Sequence, residues 1–466
     1  MDPKYDRFVL PETTLRDLRS AVGVDHVLTD PDVTASFGVD WMRRYRGSAA
    51  AVVRPGSTDE AVAVVQILAR IGVPIVAQGG NTGLVGGSVP VDGGVVISTR
   101  RLQTLGEVDQ ESLQVTAGAG VTLGRLQRYA AAAGLRFPLD LGARDNATVG
   151  GLVATNAGGT SVIRFGMMRS QVLGLEAVLP DGTVVDRLHG LLKDNTGFDV
   201  GSILVGSEGT LGLITAARVH LAPLDHATIS LGIACAGIEA AVPIVGAFRR
   251  AGFVVDAAEV VDAAGLDLVA RHLSRTVPAP FASGALLLMD LATAPGSDVE
   301  TAAGALLDGL GIDLDAVVVA TDRYKRQQLW EWRERQTEAI ARQGVPVKLD
   351  LSLPLPQLGA FAGSVEALLR PIVSGVTVII FGHLGDGNLH VNVLGVIEHA
   401  EQIEDVLLAD VIRRGGSISA EHGIGRLKMR WLERQKGSGN MLAMQQVKNA
   451  LDPKGLWNPN VLFIAT

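Results

Sequence analysis

The chain has 466 residues, of which 47% are hydrophobic and 19% charged, so it can bury large cores and is not a disordered chain. Its length favours two or three domains. A formal net charge of −8 without any basic run excludes nucleic acid as an expected partner. A single cysteine, Cys235, excludes a disulfide framework and a multi-cysteine metal site, and it fits a reducing compartment.

The N-terminal sequence MDPKYDRFVLPETTL has neither an apolar core nor an Arg/Ser-rich pattern, which is not typical of a signal or transit peptide. No apolar run approaches the roughly 20 residues needed to cross a bilayer. We therefore expect a cytoplasmic protein that is not an integral membrane protein.

The first half of the chain predicts an α/β pattern. After an N-terminal helical segment (residues 1–46), residues 47–225 alternate strands with amphipathic helices. Ser57 and Glu60 form a capping-box pattern that begins one helix, and Gly72 ends it. This segment is expected to fold as one domain.

The second half of the chain has a different pattern of predicted helices and strands. Residues 226–415 alternate helices such as GIEAAVPIVGAFRRAG with strands such as GALLLMDL, which predicts a separate α+β domain. The last segment, residues 416–466, returns to glycine-rich sequence in SISAEHGIG and finishes with LDPKGLWNPN. The predicted fold class of the whole chain is α+β.

Two glycine-rich loops are predicted in the first domain. The sequence QGGNTGLVGGS (residues 78–88) follows a strand and exposes consecutive backbone amides, as a cradle for phosphate oxygens requires. A second small-residue loop, TVGGLVATNAGG, covers residues 148–159. The chain contains neither GxGxxG nor GxxxxGK[ST], so a nucleotide cofactor is expected outside the Rossmann and P-loop classes.

The sequence VTVIIFGHLGDGNLHVNVLG predicts a β-hairpin around Asp386-Gly387, a favoured two-residue turn. With that turn His383 faces His390, and their Cβ atoms lie about 4.5 to 5.5 Å apart on one sheet face. Asn392 shares this polar face. The opposite face is expected to be apolar and to carry Ile380, Leu384, Leu389, Val391 and Val393.

Two histidines in register favour a metal site over two unrelated structural histidines, but the pair lacks a carboxylate. Asp386 sits in the turn, where acids occur for backbone reasons. Glu421, followed by His422 in the glycine-flanked sequence SAEHGIG, is the better candidate. Two imidazoles and one carboxylate suit zinc or a similar transition ion and leave coordination positions open for a substrate.

Positive side chains offer binding sites for an acidic substrate. The sequence LWEWRERQTEAI predicts a helix with Arg333 and Thr337 on one face, although Arg333 alone is more typical of a surface ion pair with a glutamate. Downstream, VPVKLDLSLP alternates, which places Lys348, Asp350 and Ser352 on one strand face.

These loops, together with KDNTGFDVGSILVGSEGTLGLIT, GHLGDGNLHVNV and AEHGIG, resemble the FAD-linked D-2-hydroxy acid dehydrogenases of the vanillyl-alcohol oxidase and p-cresol methylhydroxylase flavoprotein family. Within that group the resemblance is strongest to members that oxidise D-2-hydroxyglutarate, and it covers residues 30–463. It implies a two-part p-cresol methylhydroxylase-type FAD-binding domain, an α+β (ferredoxin-like) substrate domain with the histidine hairpin, and a C-terminal helical segment that returns to the flavin site.

The resemblance implies that FAD is the cofactor. Several family members attach the flavin through a histidine in the first loop, where this chain has Asn81, so non-covalent FAD is expected. The residues expected to bind FAD by their place in the family's motifs are Gln78, Gly79, Gly80, Asn81, Thr82, Gly83, Leu84, Gly87, Ser88, Pro138, Leu141, Gly142, Thr148, Gly150, Gly151, Ala154, Thr155, Asn156, Gly158, Gly159, Glu208, Gly209, Ile214 and Asn460.

The resemblance also assigns roles in the substrate site. It implies that His383, His390 and Glu421 bind a divalent metal, with zinc expected, and that His422 takes the substrate's hydroxyl proton. It further implies four substrate-binding residues, Arg333, Thr337, Lys348 and Asn392. Two cationic side chains favour a diacid such as D-2-hydroxyglutarate.

The expected reaction is hydroxyl deprotonation with hydride transfer from C2 to the flavin. D-Lactate or glycolate oxidation is the nearest alternative, because those enzymes share the hairpin and EHGIG motifs. A transferase like alkylglycerone-phosphate synthase and an inactive flavin-binding subunit are alternatives from other classes. The electron acceptor expected from the family is a quinone or an electron-transfer flavoprotein.

Overall fold

The computed structural model describes residues 9–464 except residues 92, 226, 283 and 295. Residues 1–8 of the predicted N-terminal helical segment lie outside this description. The α-helices are α1 (Glu12–Val22), α2 (Pro31–Thr34), α3 (Thr58–Ile71), α4 (Leu123–Ala132), α5 (Val149–Thr155), α6 (Val162–Phe165), α7 (Met168–Gln171), α8 (Val200–Leu204), α9 (Ile238–Arg250), α10 (Ala263–Leu273), α11 (Val299–Gly309), α12 (Arg323–Glu334), α13 (Gln336–Ala341), α14 (Leu355–Leu369), α15 (Ala400–Arg413), α16 (Met429–Lys436) and α17 (Ser438–Leu451).

The strands are β1 (Val27–Leu28), β2 (Ala49–Val53), β3 (Ile75–Gln78), β4 (Gly94–Ser98), β5 (Gln114–Gly118), β6 (Leu135–Arg136), β7 (Val172–Val178), β8 (Val184–Asp186), β9 (Leu213–His220), β10 (Ala222–Pro223), β11 (Ala227–Cys235), β12 (Val254–Val261), β13 (Ala285–Thr293), β14 (Val317–Ala320), β15 (Val347–Ser352), β16 (Thr377–His383) and β17 (Asn388–Leu394). The mixture of helices and sheets confirms the predicted α+β class.

The chain divides into two compact units. Unit 1 comprises residues 1–159, 166–224 and 421–466, and unit 2 comprises residues 160–165 and 225–420. The change at residue 225 lies next to the predicted boundary, whereas the return to unit 1 comes five residues after residue 416.

Unit 1 contains two main sheets. In the first, β2, β4 and β3 are parallel neighbours and β1 pairs antiparallel with β2. In the second, β5, β9, β7 and β8 form an antiparallel sheet. The C-terminal segment joins the first sheet, because Trp457 is buried in its core and the backbone of Ile75 bonds to Leu456 and Asn458.

Local sequence signals explain helix α3. The Ser57 hydroxyl accepts a hydrogen bond from the Glu60 amide, and Gly72 ends the helix in the left-handed conformation, φ +69°. The second hydrogen bond of the predicted capping box is different. The Glu60 carboxylate accepts from the amide of Gly56, one residue before the N-cap, and not from the amide of the N-cap residue Ser57. Buried Val64, Val65 and Leu68 then pack α3 into the core of the first sheet.

The second predicted glycine-rich loop is not entirely a loop. Residues 149–155 form helix α5, which ends at Asn156 in the left-handed conformation. Gly150 is required there because a Cβ atom at this position would lie 2.6 Å from the Ala119 Cβ atom. The small residues therefore permit close packing of a helix, which the sequence pattern did not separate from a flexible loop.

Unit 2 is built on one antiparallel sheet of seven strands in the order β14-β11-β13-β12-β16-β17-β15. An apolar core on one face joins strand residues such as Leu286, Leu288 and Phe381 to helices α10, α12 and α13. Residues 160–165 belong to this unit although the chain on either side is in unit 1. Arg164 explains this, since its guanidinium binds Asp225 and Asp256 at 2.8 and 3.0 Å.

The predicted single helix across Arg333 and Thr337 is two helices. Helix α12 ends at Glu334 and α13 begins at Gln336. The buried Gln336 side chain donates to the carbonyl of Trp332, the acceptor that a continuous helix would use for the Gln336 amide. Among the residues that the structure describes, no helix is long and apolar enough to cross a membrane.

Candidate active site

The predicted FAD-binding residues all lie in unit 1. The first loop is held by its own polar side chains. The Gln78 amide donates to the carbonyls of Phe37 and Ser88, and the Asn81 amide donates to the carbonyl of Val39. The Ser88 hydroxyl donates to Asn81 Oδ1 at 2.7 Å. The Asn81 side chain therefore holds the first loop to the backbone of Val39 and to Ser88.

The first loop packs against the start of α5. A Cβ atom at Gly79 would lie 2.2 Å from Thr148 Oγ1, and one at Gly80 would lie 1.9 Å from the carbonyl oxygen of Asn146. The hydroxyls of Thr148 and Thr99 are both buried, and neither has a hydrogen-bond partner among the described residues. The two glycines are therefore needed for the first loop to pack against the start of α5, and the two unsatisfied hydroxyls fit a polar ligand such as a flavin nucleotide.

Glu208 is one of the predicted FAD-binding residues, and its carboxylate bonds to the segment that follows His422. Its two oxygens accept from the amides of Ile424 and Gly425 at 2.8 and 2.7 Å. Burial raises the pKa of this carboxyl, and these two amides oppose that rise. Asn458, which the sequence analysis missed, donates to the carbonyls of Gly87 and Glu208 at 2.7 Å each. The EHGIG segment, Glu208 and the C-terminal segment therefore form one fixed part of unit 1.

In unit 2 the two hairpin histidines come together, but not through the predicted pairing. His390 pairs with Phe381, so the register differs by two residues from the prediction. The turn is a 3-10 helix (Leu384–Asp386) followed by Gly387 at φ +88°. A shift of two residues keeps every side chain on its face. The imidazoles of His383 and His390 still meet edge to face, with ring centroids 5.4 Å apart.

His383 has a buried carboxylate partner that the sequence did not predict. Glu259 in β12 is fully buried and pairs with His383 across the sheet. Glu259 Oε1 lies 2.5 Å from His383 Nδ1, and Oε2 accepts from Arg333 Nε at 2.6 Å. Burial raises the pKa of Glu259, but the neighbouring His383 and Arg333 outweigh burial and bring the pKa to about 2. Glu259 is therefore ionised across the physiological range.

Arg333 is not the surface residue that its local sequence favours. Its partner is the buried Glu259 from a distant strand, and its guanidinium lies 4.6 Å from the ring centre of Phe381. The Phe381 ring in turn lies 5.1 Å from the His390 ring. Thr337 is exposed, and its role in substrate binding stays a prediction.

Strand β15 adds a second group of polar side chains to the same sheet face. Lys348 pairs with Asn392 and Asp350 pairs with His390, as the predicted alternation requires. Asp350, which the sequence analysis did not include in the site, is buried; its Oδ1 lies 3.6 Å from His390 Nδ1 and accepts from Asn388 Nδ2 at 2.9 Å. Asp386 serves the turn, since it accepts from the Asn388 amide.

Two models of known families match the chain. One is described as a FAD binding domain and covers residues 49–187, and the other is described as FAD linked oxidases, C-terminal domain, and covers residues 225–462. D-2-Hydroxyglutarate dehydrogenase of Rattus norvegicus, named as mitochondrial, is 38% identical over 93% of this chain and 82% of the relative. D-2-Hydroxyglutarate dehydrogenase of Xanthomonas citri pv. viticola is 34% identical over 97% of this chain and 98% of the relative. A putative mitochondrial D-lactate dehydrogenase of Schizosaccharomyces pombe is 34% identical over 98% and 91%.

Solved structures share the fold at low identity. Substrate-bound p-cresol methylhydroxylase has a TM-score of 0.73 at 15% identity, covering 97% of this chain and 96% of the other. Alkyldihydroxyacetonephosphate synthase has a TM-score of 0.74 at 17% identity, covering 98% and 86%. Because a methylhydroxylase and a synthase match with nearly equal TM-scores, the fold by itself does not select an activity.

The two matched domains and the named relatives define a FAD-dependent oxidoreductase. The chain belongs to the FAD-linked oxidase family, and the resemblance predicted from its motifs is confirmed by relatives named D-2-hydroxyglutarate dehydrogenase. The mitochondrial names of several relatives leave the cytoplasmic location as a prediction.

Proposed function

We propose that this protein oxidises a D-2-hydroxy acid, with D-2-hydroxyglutarate as the preferred substrate, using non-covalent FAD and a divalent metal, zinc. The observation that carries the proposal is one sheet face in unit 2. It presents two imidazoles 5.4 Å apart, with Lys348 and Asn392 in register beside them and Arg333 above Phe381.

The donor set fits zinc. Because Glu259 occupies Nδ1 of His383, that imidazole would bind a metal through Nε2, the arrangement commonly found at zinc sites. The third proposed ligand is Glu421. Ser417 is bonded to Ser352 of β15 in both directions, and Glu421 follows four residues later, so chain length alone keeps its Cα within about 14 Å of Ser417.

Arginine and lysine suit a substrate with two carboxylates. Glu259 engages only Nε of Arg333, and the two terminal NH2 groups have the fork geometry that binds a carboxylate through two hydrogen bonds. Lys348 supplies a second cation on the same sheet face. We therefore assign these two residues to the carboxylates of the substrate, with Asn392 and Thr337 as further polar contacts.

When bound, the metal lowers the pKa of the substrate hydroxyl and FAD accepts the hydride from C2. His422 takes the hydroxyl proton, and the C2–O single bond becomes the carbonyl of a 2-oxo acid. Glu208 holds the backbone two and three residues after His422, which limits the motion of the imidazole. The oxidation balances because His422 takes the hydroxyl proton and a bound FAD would receive the C2 hydride with its two electrons.

Anaerobic flavin bleaching tests the proposal. The purified holoprotein is mixed with D-2-hydroxyglutarate, L-2-hydroxyglutarate, D-lactate or glycolate, before and after treatment with a chelator, and with zinc restored. We expect bleaching by D-2-hydroxyglutarate that the chelator abolishes and zinc restores. Bleaching that survives complete metal removal would refute the metal role, and no bleaching by any hydroxy acid would refute the activity.

D-Lactate oxidation is the second candidate function, favoured by the similarity to the Schizosaccharomyces pombe relative. D-Lactate lacks the second carboxylate, so equal kcat/KM for D-lactate and D-2-hydroxyglutarate would remove the case for a diacid site. We further propose a quinone or an electron-transfer flavoprotein as the acceptor of the flavin electrons. Reoxidation of the reduced protein by each acceptor under anaerobic conditions tests this choice.

A further inference from the structure

We infer that Glu259 is a positioning residue that couples metal binding by His383 to substrate binding by Arg333. The inference rests on the proposed function. It adds a residue from strand β12, which no motif of the sequence indicates and which contacts neither substrate nor cofactor in the proposed mechanism.

The geometry around Glu259 assigns one carboxylate oxygen to each partner. Oε1 lies 2.5 Å from His383 Nδ1, and Oε2 accepts from Arg333 Nε at 2.6 Å. The side chain is fully buried, so no bulk water replaces either interaction. A carboxylate at Nδ1 fixes the imidazole tautomer and orientation and raises the basicity of the other ring nitrogen, the proposed metal ligand.

The same carboxylate fixes the guanidinium. With Nε held, the Arg333 plane is set against the Phe381 ring at 4.6 Å, and the terminal NH2 groups keep one direction. Phe381 lies 5.1 Å from the His390 ring, and His390 lies 5.4 Å from the His383 ring. The five side chains thus form a closed ring of contacts in which Glu259 is the only anion. Removing its charge leaves a half-buried guanidinium without its counterion and an imidazole without its orienting acceptor.

The decisive variant is Glu259→Gln, which keeps the side-chain volume and removes the charge. We expect the zinc affinity of metal-stripped, FAD-loaded protein to fall about 10- to 100-fold in a competition titration without substrate. With zinc at a saturating concentration, and with Arg333 assigned to the carboxylate that D-lactate lacks, we also expect KM for D-2-hydroxyglutarate to rise while KM for D-lactate stays nearly constant. Unchanged zinc affinity, or equal KM changes for both substrates, would overturn the inference.

Asp290→Asn is the matched control. Asp290 is a buried carboxylate on the neighbouring strand β13 that binds Arg326 of the same helix α12 at 3.0 Å, together with Trp330. A purely structural effect of losing a buried carboxylate would appear in both variants. We expect the control to keep its zinc affinity and its ratio of KM values, and a matching loss in the control would reject a positioning role for Glu259.

Glu259→Asp keeps the charge on a shorter side chain and serves if the glutamine variant does not fold. We expect it to bind zinc more weakly than the unaltered protein, and wild-type affinity in this variant would overturn the inference. The behaviour of the unaltered protein separates a failure of the proposed function from a failure of this inference. If that protein binds no zinc and is not bleached by D-2-hydroxyglutarate, the function fails, whereas normal wild-type behaviour with an unaffected Glu259→Gln variant rejects the inference alone.

Discussion

His383 and His390 meet edge to face with ring centroids 5.4 Å apart, although the residue paired with His390 across the sheet is Phe381. The two imidazoles therefore approach diagonally on one face. Each is buried and each has a carboxylate within 3.6 Å of Nδ1, Glu259 for His383 and Asp350 for His390. A carboxylate bonded to Nδ1, as Glu259 is to Nδ1 of His383, leaves Nε2 as the ring nitrogen for the proposed metal.

His383→Asn and His390→Asn each remove one proposed ligand. Loss of a residue that hydrogen-bonds a metal ligand typically lowers metal affinity about 10- to 100-fold. Because these variants remove a proposed ligand itself, we expect a larger fall in zinc affinity and the loss of flavin bleaching by substrate. Metal analysis of the purified variants and a competition titration measure this. His399→Asn changes a partly exposed histidine of the same unit that lies outside the proposed site, and it should leave one zinc per chain. A full complement of zinc in both hairpin variants would contradict the assignment.

Acid or detergent denaturation should release all of the flavin. The resemblance implies non-covalent FAD because the first loop has Asn81 where several family members have a linking histidine, and the Asn81 amide is bonded to Val39 and Ser88. We expect yellow FAD in the supernatant after acid precipitation, at about one equivalent per chain as measured by absorbance. Flavin that stays with the precipitated protein would show a covalent bond at another residue.

Glu208→Gln should loosen the segment after His422. Glutamine offers one acceptor oxygen to the two amides of Ile424 and Gly425, and its NH2 group opposes the other amide. Because a hydrogen bond to a charged group contributes about 1.5 to 3 kcal/mol, we expect amide exchange at residues 424 and 425 to become about tenfold faster or more. Exchange mass spectrometry measures the rate.

The control for this variant is Glu60→Gln in the same unit. Its carboxylate also accepts from a backbone amide, that of Gly56, at 2.7 Å. We expect this change to leave exchange at residues 424 and 425 as it was. Equal exchange in the Glu208 variant and the unaltered protein would show that the carboxylate does not hold the segment.

Cys235 should be unreactive in the folded protein. Burial raises the pKa of its thiol to about 11, because the thiolate is disfavoured away from water. With the folded pKa above its ordinary value, the reactive fraction at pH 8 is about one thousandth and rises about tenfold for each added pH unit. We expect no reaction with a disulfide reagent at pH 8 and one reactive thiol after unfolding. Rapid modification of the native protein would contradict this.

The elements and faces of the polar site were predictable from sequence because they depend on near neighbours. The cap at Ser57 and the stop at Gly72 are bonds within one turn of the helix. In β15 the alternation of side chains between the two faces of a strand was enough to place Lys348 and Asp350 on one face. The same alternation kept His383 and His390 on one face, because the predicted register was wrong by two residues, an even number. The motifs of the glycine-rich loops predicted FAD in the same way, because each motif is a contiguous stretch of sequence.

Only the tertiary structure decided which distant side chains complete the site. Glu259 lies 124 residues from His383 and 74 from Arg333, and its neighbours in sequence carry no signal of either partner. Residues 160–165 joined unit 2 through ion pairs to Asp225 and Asp256 that no local pattern contains. Sequence periodicity reports which face of a strand a residue occupies, but strand order decides what that face meets, and strand order is set by packing between segments far apart in the chain.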